Sequence, residues 1–388
     1  MQATPYEGLS RLHLIMGLQC NVRCTMCYQT DFSPKFNMAP ELYKERLSEA
    51  YRHVKSVKLQ GGEPTIMKNC KEAAILLRKH SQVKLTVITN GVFIDDFWHE
   101  TFVDQGGNVS VSINAATEAA YDKIVIHGEY QRVIKNLERL LAARKGKTPS
   151  VGVTAVILKE NFHELHKIIE LCGQLGIDYV EFLADPILSF AGLPSRAEVA
   201  AEMNRCLEEK NRSNVDVIGL DDFGSKFAVP FRFGGVAGAQ KPMCGAPFSN
   251  LVVDWDGEVR VCCNTWVSMG NLYKESLGDI LQGRPVRTFR KKMQKNDYVW
   301  CSPNCSDNAS PTKLSLAHKY IYELRANPKN FVLKVKQKMQ QVQGKWIKPS
   351  KKRSKPLEDR KDSKVRLPII TNATGEEASK GEGRQRVS

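Results

Sequence analysis

Six apolar, β-branched runs recur through the first half of the chain, at Leu12 to Met16, Val54 to Leu59, Val83 to Thr89, Val109 to Ile113, Val151 to Leu158 and Tyr179 to Leu183. Between them lie stretches with helical spacing: Ala39 to His53, Asn69 to His80, Asp95 to Gln105, Glu118 to Val125 with Tyr130 to Arg144, and Phe162 to Leu175. This alternation specifies an α/β fold with a parallel sheet, because parallel neighbours need a crossover long enough to hold a helix. Six units make an open sheet or an incomplete barrel, short of the eight that close a full one. In either case the loops at the strand C-terminal ends build the active site.

The chemically informative residues sit at those ends. The first run leads into Cys20, Cys24 and Cys27, spaced C-x3-C-x2-C. The second leads into Gly61-Gly62-Glu63-Pro64, the third into Thr89-Asn90-Gly91, and the fourth carries Ser112 and, one strand period on, Asn114. Three thiolates are one ligand short of a closed metal site, since iron-sulfur clusters and structural zinc normally take four. A four-iron cluster on three cysteines keeps one iron open for a substrate or cofactor. Zinc fits this loop poorly, because no second cysteine pair and no His pair follows nearby. A disulfide framework fits worse. There is no secretory n-region and h-region and no apolar run of spanning length, so a cytoplasmic chain with reduced thiols and no membrane partner is expected.

At 388 residues and 42% hydrophobic, the chain has ample material for a core. Its net charge of +15 suggests nucleic acid until the charge is located. Between 334 and 366 there are 13 Lys/Arg against 3 Asp/Glu, which leaves +5 for residues 1–333. The basicity belongs to a tail, 334–388, that is too polar to fold alone and is expected to be disordered. Any nucleic-acid contact would run through that tail alone.

The cysteine loop, with Met26 before and Tyr28 after its third cysteine, resembles the cluster motif of the radical S-adenosylmethionine (SAM) superfamily. Gly61-Gly62-Glu63-Pro64 resembles that superfamily's SAM-amine motif. The resemblance implies a partial (β/α)6 TIM-like barrel, a core over 1–215, and SAM chelating the open iron of a 4Fe-4S cluster. Reductive cleavage of SAM would release a 5′-deoxyadenosyl radical that takes hydrogen from a substrate, with a flavodoxin or ferredoxin as reductant. Tyr28, Gly61, Gly62, Glu63, Pro64, Asn90 and Ser112 would line the SAM pocket. Many relatives carry an Arg where this chain has Val125, so Lys123, His127 or another group would serve the SAM carboxylate instead.

Further on come Cys244, Cys262, Cys263, Cys301 and Cys305. Asp256-Gly257, between Leu251 to Asp254 and Val259 to Val261, is a hairpin-turn signal that would bring Cys244 near Cys262. A helix over Leu277 to Lys295 would return the chain to Cys301 and Cys305. Four thiolates then suit a closed iron-sulfur cluster or a structural zinc. The segment 235–315 resembles the SPASM and twitch modules of radical SAM enzymes, implying a second 4Fe-4S cluster on Cys244, Cys262, Cys301 and Cys305. Cys263 would be left as a hydrogen-atom donor, as in some epimerising relatives, or as a buried thiol or alternative ligand. Glu181 and Asp185, at the end of the sixth run, are the other candidates to face substrate, while Cys70, Cys172 and Cys206 read as core.

Nineteen residues before Cys20 leave no room for the leader-binding domain of many peptide-modifying relatives. The expected function is therefore oxidoreductase chemistry on a small molecule, such as a sugar or cyclitol, by dehydrogenation or epimerisation. A peptide or protein maturase is the alternative, and a non-catalytic cluster or nucleic-acid binder a more distant one.

Overall fold

A computed structural model describes residues 4–27, 29, 31–184, 194–226, 243–302 and 305. The expected tail, Tyr28 and Asp185 lie outside the described residues. In chain order the strands are β1 (Arg11–Ile15), β2 (Arg23–Cys24), β3 (Ser56–Gln60), β4 (Lys84–Thr89), β5 (Gly107–Ser112), β6 (Val125–Ile126), β7 (Ser150–Ile157), β8 (Tyr179–Ala184), β9 (Asp216–Ile218), β10 (Asn250–Val253), β11 (Glu258–Arg260) and β12 (Gly270–Asn271). The helices are α1 (Lys68–Leu77), α2 (Asp96–Gln105), α3 (Glu118–Ile124), α4 (Tyr130–Ala143), α5 (Leu165–Leu175), α6 (Arg196–Arg212), α7 (Leu220–Lys226), α8 (Ala246–Ser249), α9 (Leu277–Gln282) and α10 (Arg284–Gln294).

Among the described residues one sheet runs β12-β11-β10-β1-β3-β4-β5-β7-β8-β9. Every pairing from β10 to β9 is parallel, and β10-β11-β12 is an antiparallel extension. The six expected strands are present as β1, β3, β4, β5, β7 and β8, side by side in chain order within a parallel α/β sheet of the partial-barrel kind. The later hairpin does not stand apart from it, because β10 pairs in parallel with β1 along Arg11↔Asn250 to Leu14↔Val253.

Side-chain alternation explains the layers. In β1 and β3, Leu12, Leu14, Val57 and Leu59 are fully buried, with Ala73, Ala74 and Leu77 of α1 in the same core. The intervening His13, Lys58 and Gln60 point to the opposite face, the lumen, since successive strand residues alternate faces. Local signals set the helix ends. Asp95 caps α2 by accepting the Trp98 N–H at 3.1 Å, and α5 stops at Gly176, whose φ of 76° suits a residue without Cβ.

Two expected helices differ. Ala39 to His53 is not one α-helix but a π-turn at Leu42–Arg46 and a 3₁₀ turn at Ala50–Arg52. The Tyr51 hydroxyl donates to the Tyr43 carbonyl at 2.8 Å, and a side chain entering the backbone ladder widens it. Leu277 to Lys295 is two helices, α9 and α10, that meet at Gly283. Pro285 in the first turn of α10 has no N–H to continue the preceding ladder.

Candidate functional site

The cysteine loop is clamped from several sides. Arg23 donates to the carbonyls of Cys20 and Val22 at 2.9 and 2.8 Å, and its guanidinium sits 3.9 Å from the Phe32 ring centroid. Cys24 pairs with Val125 in the β2-β6 ladder, and the Thr25 N–H reaches the Ile124 carbonyl at 2.9 Å. Val125 is thus buried against the loop, while Lys123 and His127 are exposed. Burial pushes the thiols of Cys20 and Cys24 up to about 11 and about 12. They are neutral until a metal displaces the proton.

The Gly61-Gly62 turn lies directly on this loop. The Gly62 and Glu63 N–H groups donate to the carbonyls of Gly17 and Gln19 at 3.0 and 2.8 Å. A Cβ on Gly62 would collide with the Gln19 and Leu18 carbonyls, so only glycine permits the approach. Among the described residues nothing donates to the Gly61 or Gly62 carbonyls. A turn whose Gly62 and Glu63 N–H groups are engaged and whose glycine carbonyls face no donor among the described residues suits an ammonium group.

Glu63 is wholly buried and its carboxylate is fully engaged. Oε1 accepts from the Thr65 N–H (3.0 Å), the Thr65 hydroxyl (2.6 Å) and the Thr89 hydroxyl (2.7 Å), while Oε2 accepts from the Asn90 N–H (2.6 Å). Burial raises its pKa and these donors hold it back. Asn90 then donates from Nδ2 to Asn21 Oδ1 at 2.8 Å, inside the cysteine loop. Thus the third strand end is tied to both the turn and the loop. Pro64 opens the 3₁₀ turn beyond Glu63, and Trp98 Nε1 anchors that turn by donating to the Thr65 carbonyl at 2.9 Å. Ser112 is half-buried at the end of β5, opposite Thr154. Asn114 is buried, with its Oδ1 accepting the Val156 N–H at 2.9 Å.

The second cysteine set converges on one pocket. Cys244, Cys262, Cys301 and Cys305 line it together with Pro247, Thr265, Phe289, Met293 and Tyr298. Asn264 donates its N–H to Cys262 Sγ at 3.4 Å and its Nδ2 to Cys305 Sγ at 3.3 Å. Four soft donors in an apolar pocket, with N–H groups aimed at sulfur, fit an iron-sulfur cluster. Cys263 does not line this pocket. It is exposed.

Sequence reasoning missed His13, Lys58 and Arg260, which face the lumen on neighbouring strands. Glu181, on β8 opposite Thr154, and Cys263, both named from the sequence, act on Lys58. The available signal was a polar residue at alternate positions inside strands that otherwise read as buried. Cys70, Cys172 and Cys206 are buried as expected.

Residues 14–172 match the family model of the radical SAM superfamily, and residues 244–306 match that of the SPASM iron-sulfur cluster-binding domain. The chain is 24% identical over 298 residues to a probable GTP 3′,8-cyclase of Saccharolobus solfataricus, covering 74% of this chain and 91% of that one. A probable GTP 3′,8-cyclase of Methanococcus maripaludis is 23% identical, with 74% and 94% covered. Among solved structures, Streptococcus suis SuiB bound to precursor peptide SuiA superposes with a TM-score of 0.58 at 14% identity, covering 79% of this chain and 76% of that one. Native anSMEcpe with bound AdoMet superposes with a TM-score of 0.56 at 18% identity, covering 84% and 98%. No helix of the described residues is long and apolar enough to cross a membrane.

Proposed function

The chain is a radical SAM enzyme with a C-terminal SPASM domain, working with 4Fe-4S clusters and SAM, and we propose that it abstracts hydrogen from a small-molecule substrate held in the barrel lumen. The observation that carries this reading is the junction of the cysteine loop, the glycine turn and Asn90 through the buried Glu63 carboxylate. The cluster and SAM together supply a 5′-deoxyadenosyl radical, the hydrogen-abstracting species. Cys20, Cys24 and Cys27 would hold that cluster. The free carbonyls of Gly61 and Gly62 would receive the SAM amine, with Ser112 on the same rim and Lys123 or His127 toward its carboxylate. Glu63 acts as a positioning residue, since its oxygens are spent on Thr65, Thr89 and Asn90.

Cys244, Cys262, Cys301 and Cys305 would close the second cluster, leaving it without an open iron. Its part would be electron transfer or shaping the substrate pocket. Cys263 remains accessible beside Lys58. It would return a hydrogen atom from its S–H to a substrate radical, the thiyl being restored by one electron from a flavodoxin- or ferredoxin-type reductant and one solvent proton. The core would run over 1–215 and the auxiliary domain over 235–315.

A small molecule is favoured because the relatives matched along nearly their whole length are named for action on GTP. A sugar, cyclitol or nucleotide is the class proposed. Anaerobic incubation with SAM, dithionite and a panel of phosphorylated and free sugars, nucleotides and short peptides tests the choice. Stimulation of 5′-deoxyadenosine formation by a small molecule supports it, and stimulation by peptides alone overturns it.

A further inference from the structure

Four adjacent strands carry a row of residues in register across the lumen face. Arg260 of β11 pairs with Val252 of β10, Val252 with His13 of β1, and His13 with Lys58 of β3. Register partners project to the same side of a sheet, so the three basic side chains share one face. All three have an unused donor. His13 Nε2 and Arg260 Nε are buried without a hydrogen-bond partner. Arg260 is otherwise held, by Asp254 at 2.6 Å and more loosely by the Thr265 carbonyl at 3.5 Å, which fixes the guanidinium and leaves Nε free. Among the described residues Lys58 Nζ makes no hydrogen bond or ion pair.

Such an arrangement costs free energy unless an acceptor is supplied. A buried polar group left unpaired is penalised, and a desolvated ammonium more so. Burial accordingly pulls the pKa of Lys58 down and holds His13 neutral at about 3. A neutral imidazole in its Nε2–H tautomer is still a donor. Three donors on one face of the sheet, His13 Nε2, Arg260 Nε and Lys58 Nζ, with no acceptor of their own have one simple complement, an anionic oxygen cluster. The carboxylate of Glu181 acts on Lys58 from β8, and the Cys263 thiol from beyond β11, so the row is bounded by groups of opposite character.

We propose that Lys58, His13 and Arg260 form a subsite for an anionic group of the substrate, a carboxylate or a phosphate, placed beside Cys263. This rests on the reading of the lumen as the substrate chamber. The bound anion neutralises Lys58, takes the free donors of His13 and Arg260, and fixes one end of the substrate while the remainder extends toward the SAM rim.

Calorimetric titration of the anaerobically reconstituted full chain, at fixed ionic strength, with tripolyphosphate and separately with succinate tests the subsite. One probe saturates a single site, tripolyphosphate marking a phosphate ester and succinate a carboxylate. Lys58→Met then weakens that probe roughly 10-fold to 100-fold, the loss of one charge-assisted hydrogen bond. His13→Leu weakens it several-fold, and Lys295→Met, at an exposed position just past the end of α10, leaves it unchanged. Saturation by neither probe, or equal affinity in wild type and Lys58→Met, overturns the proposal. Wild-type formation of 5′-deoxyadenosine from SAM, measured in parallel, keeps the two readings apart. Its absence sinks the underlying function, and its presence without anion saturation sinks the subsite alone.

Discussion

The carboxylate of Glu63 accepts the backbone N–H of Asn90 at 2.6 Å inside a fully buried site. Through this contact the strand end at β4 governs where the glycine turn sits, and Asn90 passes the constraint on to Asn21 in the cysteine loop. Glu63→Gln replaces one acceptor oxygen by an NH2 that must face a donor. We expect a loss of about 2–3 kcal/mol in stability, together with weaker SAM binding. Denaturant midpoints and SAM titration check both, and an unchanged midpoint would show that the network is not needed to hold the turn.

His13 supplies a pH test. Its folded pKa is about 3, against an ordinary value of 6.5, because of burial and the charges of Lys58 and Arg260. As pH falls below 6.5 the unfolded chain takes up a proton that the folded chain refuses. Stability therefore drops with acidification, by up to about 1.4 kcal/mol per pH unit. Wild type should lose stability faster than His13→Leu between neutral and mildly acidic pH. Parallel pH profiles for the two proteins would contradict the burial of a neutral imidazole.

Asn264 aims two N–H groups at Cys262 and Cys305 sulfurs. Hydrogen bonds to cluster sulfurs raise the reduction potential. Asn264→Ala removes the side-chain donor and should shift the auxiliary cluster to a more negative potential in a spectroscopically monitored redox titration. An unshifted potential would separate Asn264 from the cluster.

Cys263 has a direct isotopic readout. In heavy water its exchangeable hydrogen becomes deuterium, so product formed by wild type should carry solvent-derived deuterium and Cys263→Ser should not form that product. Mass spectrometry showing wild-type product without deuterium would remove Cys263 from the chemistry.

The six parallel strands and the rim at which the motifs meet were legible in the sequence, because apolar β-branched runs and β-to-α turns are local signals. The break in the expected 39–53 helix was not, since it depends on one hydroxyl, Tyr51, reaching the Tyr43 carbonyl. Nor was the pairing of β10 with β1, a contact between segments more than two hundred residues apart that leaves no periodic trace. That pairing is what aligns Arg260 with His13 and Lys58. Read strand by strand, each was only a polar residue in an apolar run. The cofactor loop was therefore visible from spacing, whereas the lumen row required the sheet.

The central claim is that an open cluster on Cys20, Cys24 and Cys27 activates SAM while a closed one on Cys244, Cys262, Cys301 and Cys305 does not. The most direct measurement is 5′-deoxyadenosine formed anaerobically from SAM and dithionite by chains loaded with about eight iron, two four-iron clusters. Wild type should form it, Cys24→Ala should not, and Cys301→Ala should retain part of the SAM cleavage while losing substrate turnover. No 5′-deoxyadenosine from fully loaded wild type, or undiminished formation by Cys24→Ala, would contradict the account.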